Sequence, residues 1–112
     1  MHELSLVMGI FDLLDEISEE QKLKKINSVT LEAGELCGII PEYMEECWRV
    51  AGQDSPYEST QLRLIRIPAT ALCSCGAEYE MTKNSRICPV CHKTDYTVIR
   101  GREFNVREIE AC

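Results

Sequence analysis

Cys73-Ser74-Cys75-Gly76 and Cys88-Pro89-Val90-Cys91 form two short cysteine pairs with twelve residues between them. A tetrahedral zinc ion takes four thiolates, and two closely spaced pairs supply them from two turns of backbone. The second pair has the usual two-residue gap. The first has a gap of one, which tightens its chelate ring. His92 follows the second pair directly and could replace one thiolate if the short first pair strains the site. Around the pairs, residues 71–99 carry few apolar side chains, Leu72, Tyr79, Met81, Ile87, Val90 and Tyr96 among them. That is too little to close a core unaided. Zinc binding of the size found in zinc-finger peptides, ~10–16 kcal/mol apparent, offsets the deficit.

Other readings of the same residues stay open. A small buried apolar thiol suits Cys47, and also Cys37, but suits the four paired cysteines poorly because their neighbours are polar. A reactive Cys-x-x-Cys pair usually stands where a strand meets a helix N-terminus, and no helical pattern follows Cys91, since Thr94–Arg100 reads as strand. Four thiolates also hold iron in rubredoxin-like proteins, so a thiol redox or iron protein is one alternative. A zinc-ribbon module that binds a protein partner is the other. Cys112, at the C-terminal end, reads as a free thiol.

Outside the cysteine segment the pattern is that of regular structure. Leu6, Ile10, Leu13, Leu14 and Ile17 recur at helical spacing, widened by Leu4, Val7 and Phe11, with the acidic residues mostly off this stripe. Lys22, Lys24 and Lys25 follow where a helix C-terminus favours cations. A half-buried strand is expected over Ile26–Ala33, with Val29, Leu31 and Ala33 inward and Ser28, Thr30 and Glu32 outward. Gly34 and Gly38 bracket a turn. Pro41 opens a second helix with Met44, Cys47, Trp48 and Ala51 on its apolar stripe and Gly52 as its stop. Gln53–Ser59 reads as loop, Leu62–Ile67 as a strand ended by Pro68, and Phe104–Ala111 as a final strand.

The chain has 112 residues, which fits one domain with at most a small satellite. It is too short for a (β/α)₈ barrel or a two-half dinucleotide fold. No stretch approaches the ~18 apolar residues of a membrane-spanning helix. Met1-His2-Glu3 has no basic n-region, so the reading is a cytoplasmic protein with reduced thiols and no membrane association. Nineteen acidic residues against twelve basic ones repel phosphate backbones, so nucleic acid is not an expected partner. There is no paired general acid and base, no Gly-rich phosphate loop and no nucleophile elbow, so no enzyme is expected.

The N-terminus offers a second metal chemistry. A free α-amine at Met1, the His2 amide nitrogen and the His2 imidazole form fused chelate rings, and Ni(II) favours such planar nitrogen sets. Glu3 could add a carboxylate oxygen. A histidine beside a chain start is usually just exposed, and the residues alone leave the nickel reading open beside that one.

Taken together, Met1-His2-Glu3-Leu4-Ser5-Leu6, the segment Glu32-Ala33-Gly34-Glu35-Leu36, the two cysteine pairs and the closing Arg102–Ala111 strand resemble the HypA/HybF family of nickel-incorporation proteins of [NiFe]-hydrogenase maturation. The resemblance covers essentially the whole chain in order. It implies an α+β fold: a nickel-binding domain of a three-stranded sheet and two helices, over residues 1–69 and 101–112, with a zinc-ribbon-like module inserted at 70–100. It implies Met1, His2 and Glu3 at the nickel site and Cys73, Cys75, Cys88 and Cys91 as zinc ligands. It further implies a metallochaperone, a monomer or homodimer, that binds Ni(II) as transient cargo. A HypB-type GTPase and the hydrogenase large subunit are the implied partners. Two departures stand out. The family's first pair is usually Cys-x-x-Cys, and some members carry an acid where this chain reads Ile39-Ile40-Pro41, with Glu42 the nearest.

Overall fold

The helical spacing of the first segment gives α1, Glu3–Gln21, in a computed structural model that describes residues 3–112. Its buried residues are Val7, Ile10, Phe11 and Leu14, an i, i+3, i+4, i+7 set. All four belong to the expected stripe or its widening, whereas Leu13, also on that stripe, is 38% exposed. The helix is apolar on more than one side, so periodicity alone fits several stripes and packing selects among them.

After α1 come β1 (Ile26–Gly34), α2 (Pro41–Gly52), β2 (Gln61–Ile67), β3 (Thr70–Cys73), β4 (Glu78–Glu80), β5 (Tyr96–Arg100) and β6 (Phe104–Ala111). They form two three-stranded sheets, ordered β2-β1-β6 and β4-β3-β5. The fold is α+β. The chain divides into two compact units: residues up to Leu31 with Gly38–Leu64 and Val106–Cys112, and Glu32–Cys37 with Ile65–Asn105.

In the first unit α1 packs on α2. Phe11 meets Trp48 edge-on and Tyr57 at a tilt, each with ring centroids 4.9 Å apart. Trp48 Nε1–H donates to the Thr60 carbonyl at 2.9 Å, and Thr60 Oγ1 donates to the Ile26 carbonyl at 2.7 Å. Tyr57 donates to the Asp15 carboxylate, and burial first, then Asp15, pushes its phenol up to about 12. Gln53–Ser59 is a run of turns, as expected of a loop, but it delivers this core tyrosine. Along α2, Met44, Trp48 and Gly52 are buried, whereas Cys47 is only half-buried instead of a core thiol.

The sheet directions follow from bonds at the strand ends. Cys112 N–H donates to Lys25 O at 3.0 Å and Gly34 N–H to Glu103 O at 2.7 Å, so β6 runs antiparallel to β1. Thr60 bonds Ile26 at one end and Glu35 N–H donates to Ile67 O at the other, so β1 and β2 run parallel. Parallel neighbours need a crossover, and α2 is that crossover. The expected outward face of β1 is in fact covered, with Ser28 and Thr30 only 2% and 7% exposed. Arg63 of β2 pairs with Glu110 of β6 at 3.5 Å, and with β1 between those strands the pair arches over it.

The second unit is built on β3. Ala71 and Cys73 face Tyr79 of β4 and Val98 and Tyr96 of β5, in antiparallel register on both sides. Ala69, Ala71, Cys73, Tyr79, Met81 and Cys88 make its buried core, while Leu72, Ile87 and Val90 stay exposed. Glu35 clamps the unit: Oε1 accepts Ala69 N–H at 3.0 Å and Oε2 pairs with Arg66 at 2.8 Å. The Ala69 N–H foremost, then the Thr82 hydroxyl and Arg66, hold this carboxyl below the usual range against some burial. A lowered folded-state pKa means that the stabilisation is whole above the unfolded value, ~4.3, and is lost as pH falls through the folded value. Thermal melts of wild type and Glu35→Gln should therefore differ by a constant amount above about pH 5 and converge in acid. A gap that widened in acid would contradict the clamp.

Candidate metal centre

Two backbone turns present the four sulfurs. In the first, Cys73 N–H donates to Ala77 O at 2.8 Å and Gly76 N–H to Cys73 O at 2.9 Å, with Gly76 at φ +96°. That left-handed conformation is why glycine follows Cys75. In the second, His92 N–H donates to Cys88 O at 2.9 Å and Cys88 N–H to Lys93 O at 3.0 Å. Ser74 N–H reaches Asp95 O at 3.0 Å, tying the first turn to the approach to β5.

The Sγ atoms of Cys73, Cys75, Cys88 and Cys91 all lie within 4.8 Å of one another. Cys73 and Cys91 are 3.4 Å apart, Cys75 and Cys88 3.8 Å, far beyond a disulfide bond of about 2.0 Å. A tetrahedron with Zn–S bonds of about 2.3 Å has sulfur–sulfur edges of about 3.8 Å. The residues fit a tetrahedral zinc, and the one-residue gap between Cys73 and Cys75 does not prevent it. His92 is exposed and does not join the group.

The electrostatics also call for a cation. The Cys91 N–H aimed at Cys88 Sγ is the main reason this thiol is drawn down to about 6, against the effect of burial, with the Val90 N–H helping. At Cys91 the Lys93 N–H favours the thiolate, but the Cys73 thiol, burial and the other sulfurs outweigh it and hold Cys91 up at about 12. Four thiolates this close repel one another, and a divalent ion removes the conflict. Burial, followed by the charge of Cys73 and Cys88, also raises the Tyr79 phenol beneath them. The backbone donors are the part of the site that spacing did not single out; the Cys-Pro-x-Cys sequence was its only signal.

Of the residues expected at the N-terminal site, Met1 and His2 lie outside the described residues. Glu3 opens α1, and its Oε2 accepts the Ile40 N–H at 3.4 Å, in the loop where some family members carry an acid. Cys37 is half-buried and Cys112 exposed, and both are free thiols. Among the described residues no helix is long and apolar enough to cross a membrane.

This chain is similar to known proteins along its length. The family model described as hydrogenase/urease nickel incorporation, metallochaperone, HypA matches residues 1–111. The hydrogenase maturation factor HypA of Albidiferax ferrireducens is 32% identical over 98% of both chains. That of Trichodesmium erythraeum is 33% identical over 98% of this chain and 95% of its own. The solution structure of the Ni metallochaperone HypA from Helicobacter pylori superposes with a TM-score of 0.67 at 19% identity, covering 99% of this chain and 97% of that one, and so shares the fold. With the four-cysteine cluster in place and the match running from end to end, the chain belongs to the HypA family of nickel-incorporation metallochaperones.

Proposed function

We propose that this chain is a nickel carrier and not an enzyme: it takes Ni(II) at its N-terminus in the cytoplasm and passes it to the hydrogenase large subunit, helped by a HypB-type GTPase. The observation that carries this reading is family membership along residues 1–111, with relatives named as hydrogenase maturation factors. The nickel donors are the Met1 α-amine and the amide and imidazole nitrogens of His2. Such a set is planar and open, which suits Ni(II) and lets ligand exchange release it. Glu3 contributes beside them, its carboxylate shared with the Ile40 N–H. Residues 1–69 and 101–112 form the nickel domain. In the 70–100 module, Cys73, Cys75, Cys88 and Cys91 hold a structural zinc, since a closed four-thiolate cage retains its metal.

The test is calorimetric titration of Ni(II) into protein that starts at Met1, into protein with a residue added before Met1, and into His2→Ala and Glu3→Gln. His2→Ala abolishes binding, the extension weakens it strongly by turning the amine into an amide, and Glu3→Gln weakens it in part. Amine and imidazole bind deprotonated, so wild-type affinity falls steeply as pH drops below ~6.5. Unchanged affinity in His2→Ala eliminates this site.

A further inference from the structure

The four sulfurs of the cluster differ in cover. Cys73 and Cys88 lie in the buried core and Cys91 is half-buried, whereas Cys75 is exposed. Cys75 stands in the turn between β3 and β4, flanked by Ser74 and Gly76, and a Cβ built on Gly76 meets nothing within 4 Å. Cys75 is thus the one exposed residue of the four, and nothing crowds the glycine beside it. The Cys75 sulfur lies 3.8 Å from Cys88 Sγ. Oxidation of cysteine follows thiolate character and exposure, and a metal-bound thiolate keeps its nucleophilic lone pairs.

Resting on the zinc reading above, we propose that Cys75 is the oxidant-sensitive thiol of the cluster, and that peroxide acting there leads to a Cys75–Cys88 disulfide and loss of the metal. The Cys75 thiolate attacks one oxygen of hydrogen peroxide, the O–O bond breaks and hydroxide leaves, giving a sulfenic acid. The Cys88 thiolate then attacks Cys75 Sγ, forming the S–S bond and expelling a second hydroxide. Two thiolates are oxidised and one peroxide is reduced to two hydroxides. Zinc is left with Cys73 and Cys91 and is released to water. Closing 3.8 Å to about 2.0 Å moves the exposed turn, not the core. The Cys73–Cys91 pair is closer, at 3.4 Å, but the first step is an encounter with a dissolved oxidant, so exposure outranks distance.

The experiment uses the full chain loaded with zinc and carrying Cys112→Ser, which removes the exposed terminal thiol. Metal content is measured first. Limiting hydrogen peroxide is then added, zinc release is followed with an indicator dye, and disulfides are located by peptide mapping. A parallel sample receives sub-stoichiometric N-ethylmaleimide. Cys75 should be alkylated about tenfold faster than any other cluster thiol, Cys75–Cys88 should be the first link, and zinc should leave in step with it. Cys75→Ser, if it keeps its metal, should lose it to peroxide far more slowly; the alkylation map needs no change at that position. A first link between Cys73 and Cys91, equal labelling of Cys91, or oxidised protein that retains zinc overturns the proposal. Protein without zinc at the outset removes the zinc reading with it, whereas zinc that is present and indifferent to peroxide removes this inference alone.

Discussion

Cys88→Ala should leave the protein without zinc and unfold the β3–β5 unit, while α1, α2 and their core remain folded. Cys88 is fully buried, so the substitution removes a metal ligand and a core side chain together. Structural zinc is worth ~10–16 kcal/mol apparent in zinc-finger peptides, against a stability of only about 5–15 kcal/mol for a whole domain. The six buried residues around it are mostly small, Ala69, Ala71 and two cysteines among them, and cannot supply that difference by packing. Metal analysis together with amide hydrogen exchange checks this. Protection should vanish across Thr70–Cys73 and Tyr96–Arg100 and persist in α1. Full zinc content in the variant would mean that the ligand set is wrong.

Gly34→Ala should be the most damaging single methyl group in the described residues. A Cβ at Gly34 would stand 2.1 Å from Gly101 O and 2.7 Å from Arg102 N, both backbone atoms that cannot swing aside. Gly101 has φ +119° and itself presses on Ala69, its own would-be Cβ lying 2.6 Å from Ala69 Cα. Three backbones are thus stacked with no slack, and Leu36 N–H donates to Gly101 O at 2.6 Å in the same place. We expect a loss of roughly 3–5 kcal/mol, at the upper end for one substitution. Gly52→Ala is the control, because its Cβ would meet Tyr57 O at an ordinary 3.5 Å. Urea unfolding of both variants decides the matter, and an unmoved midpoint for Gly34→Ala contradicts the packing described.

The parts legible in the sequence were those in which chemistry or covalent geometry leaves few choices. Pro41 does open α2, because proline fits a helix start, and the helix does end at Gly52. The paired cysteines do converge, because short spacings force their sulfurs to one side of a turn. What stayed hidden depends on partners distant in sequence. β3 and β4 have four and three residues, too short to show alternation, and Tyr79 and Met81 are buried only because β3 lies beside them. Ser28 and Thr30 are polar yet covered, and their strand is the central one of its sheet, a place that pairing and not alternation assigns. Glu35 belongs to a segment that the family resemblance singled out, but its clamp is invisible until Ala69 and Arg66 are brought to it.

The contact between Ala69 and Gly101 has a kinetic meaning as well. β6 pairs with β1, which lies far from it in the sequence, so its search is long-range and slow in a chain without intermediate structure. Once Ala69 and Gly101 touch, everything between them counts as a closed loop, and β6 starts only a few residues from the end of β2. Closure entropy grows by about 0.6 kcal/mol per doubling of loop length, so a detour shortened in this way lowers the entropic barrier to the last pairing. The Ala69–Gly101 contact thereby shortens the search that β6 makes for β1.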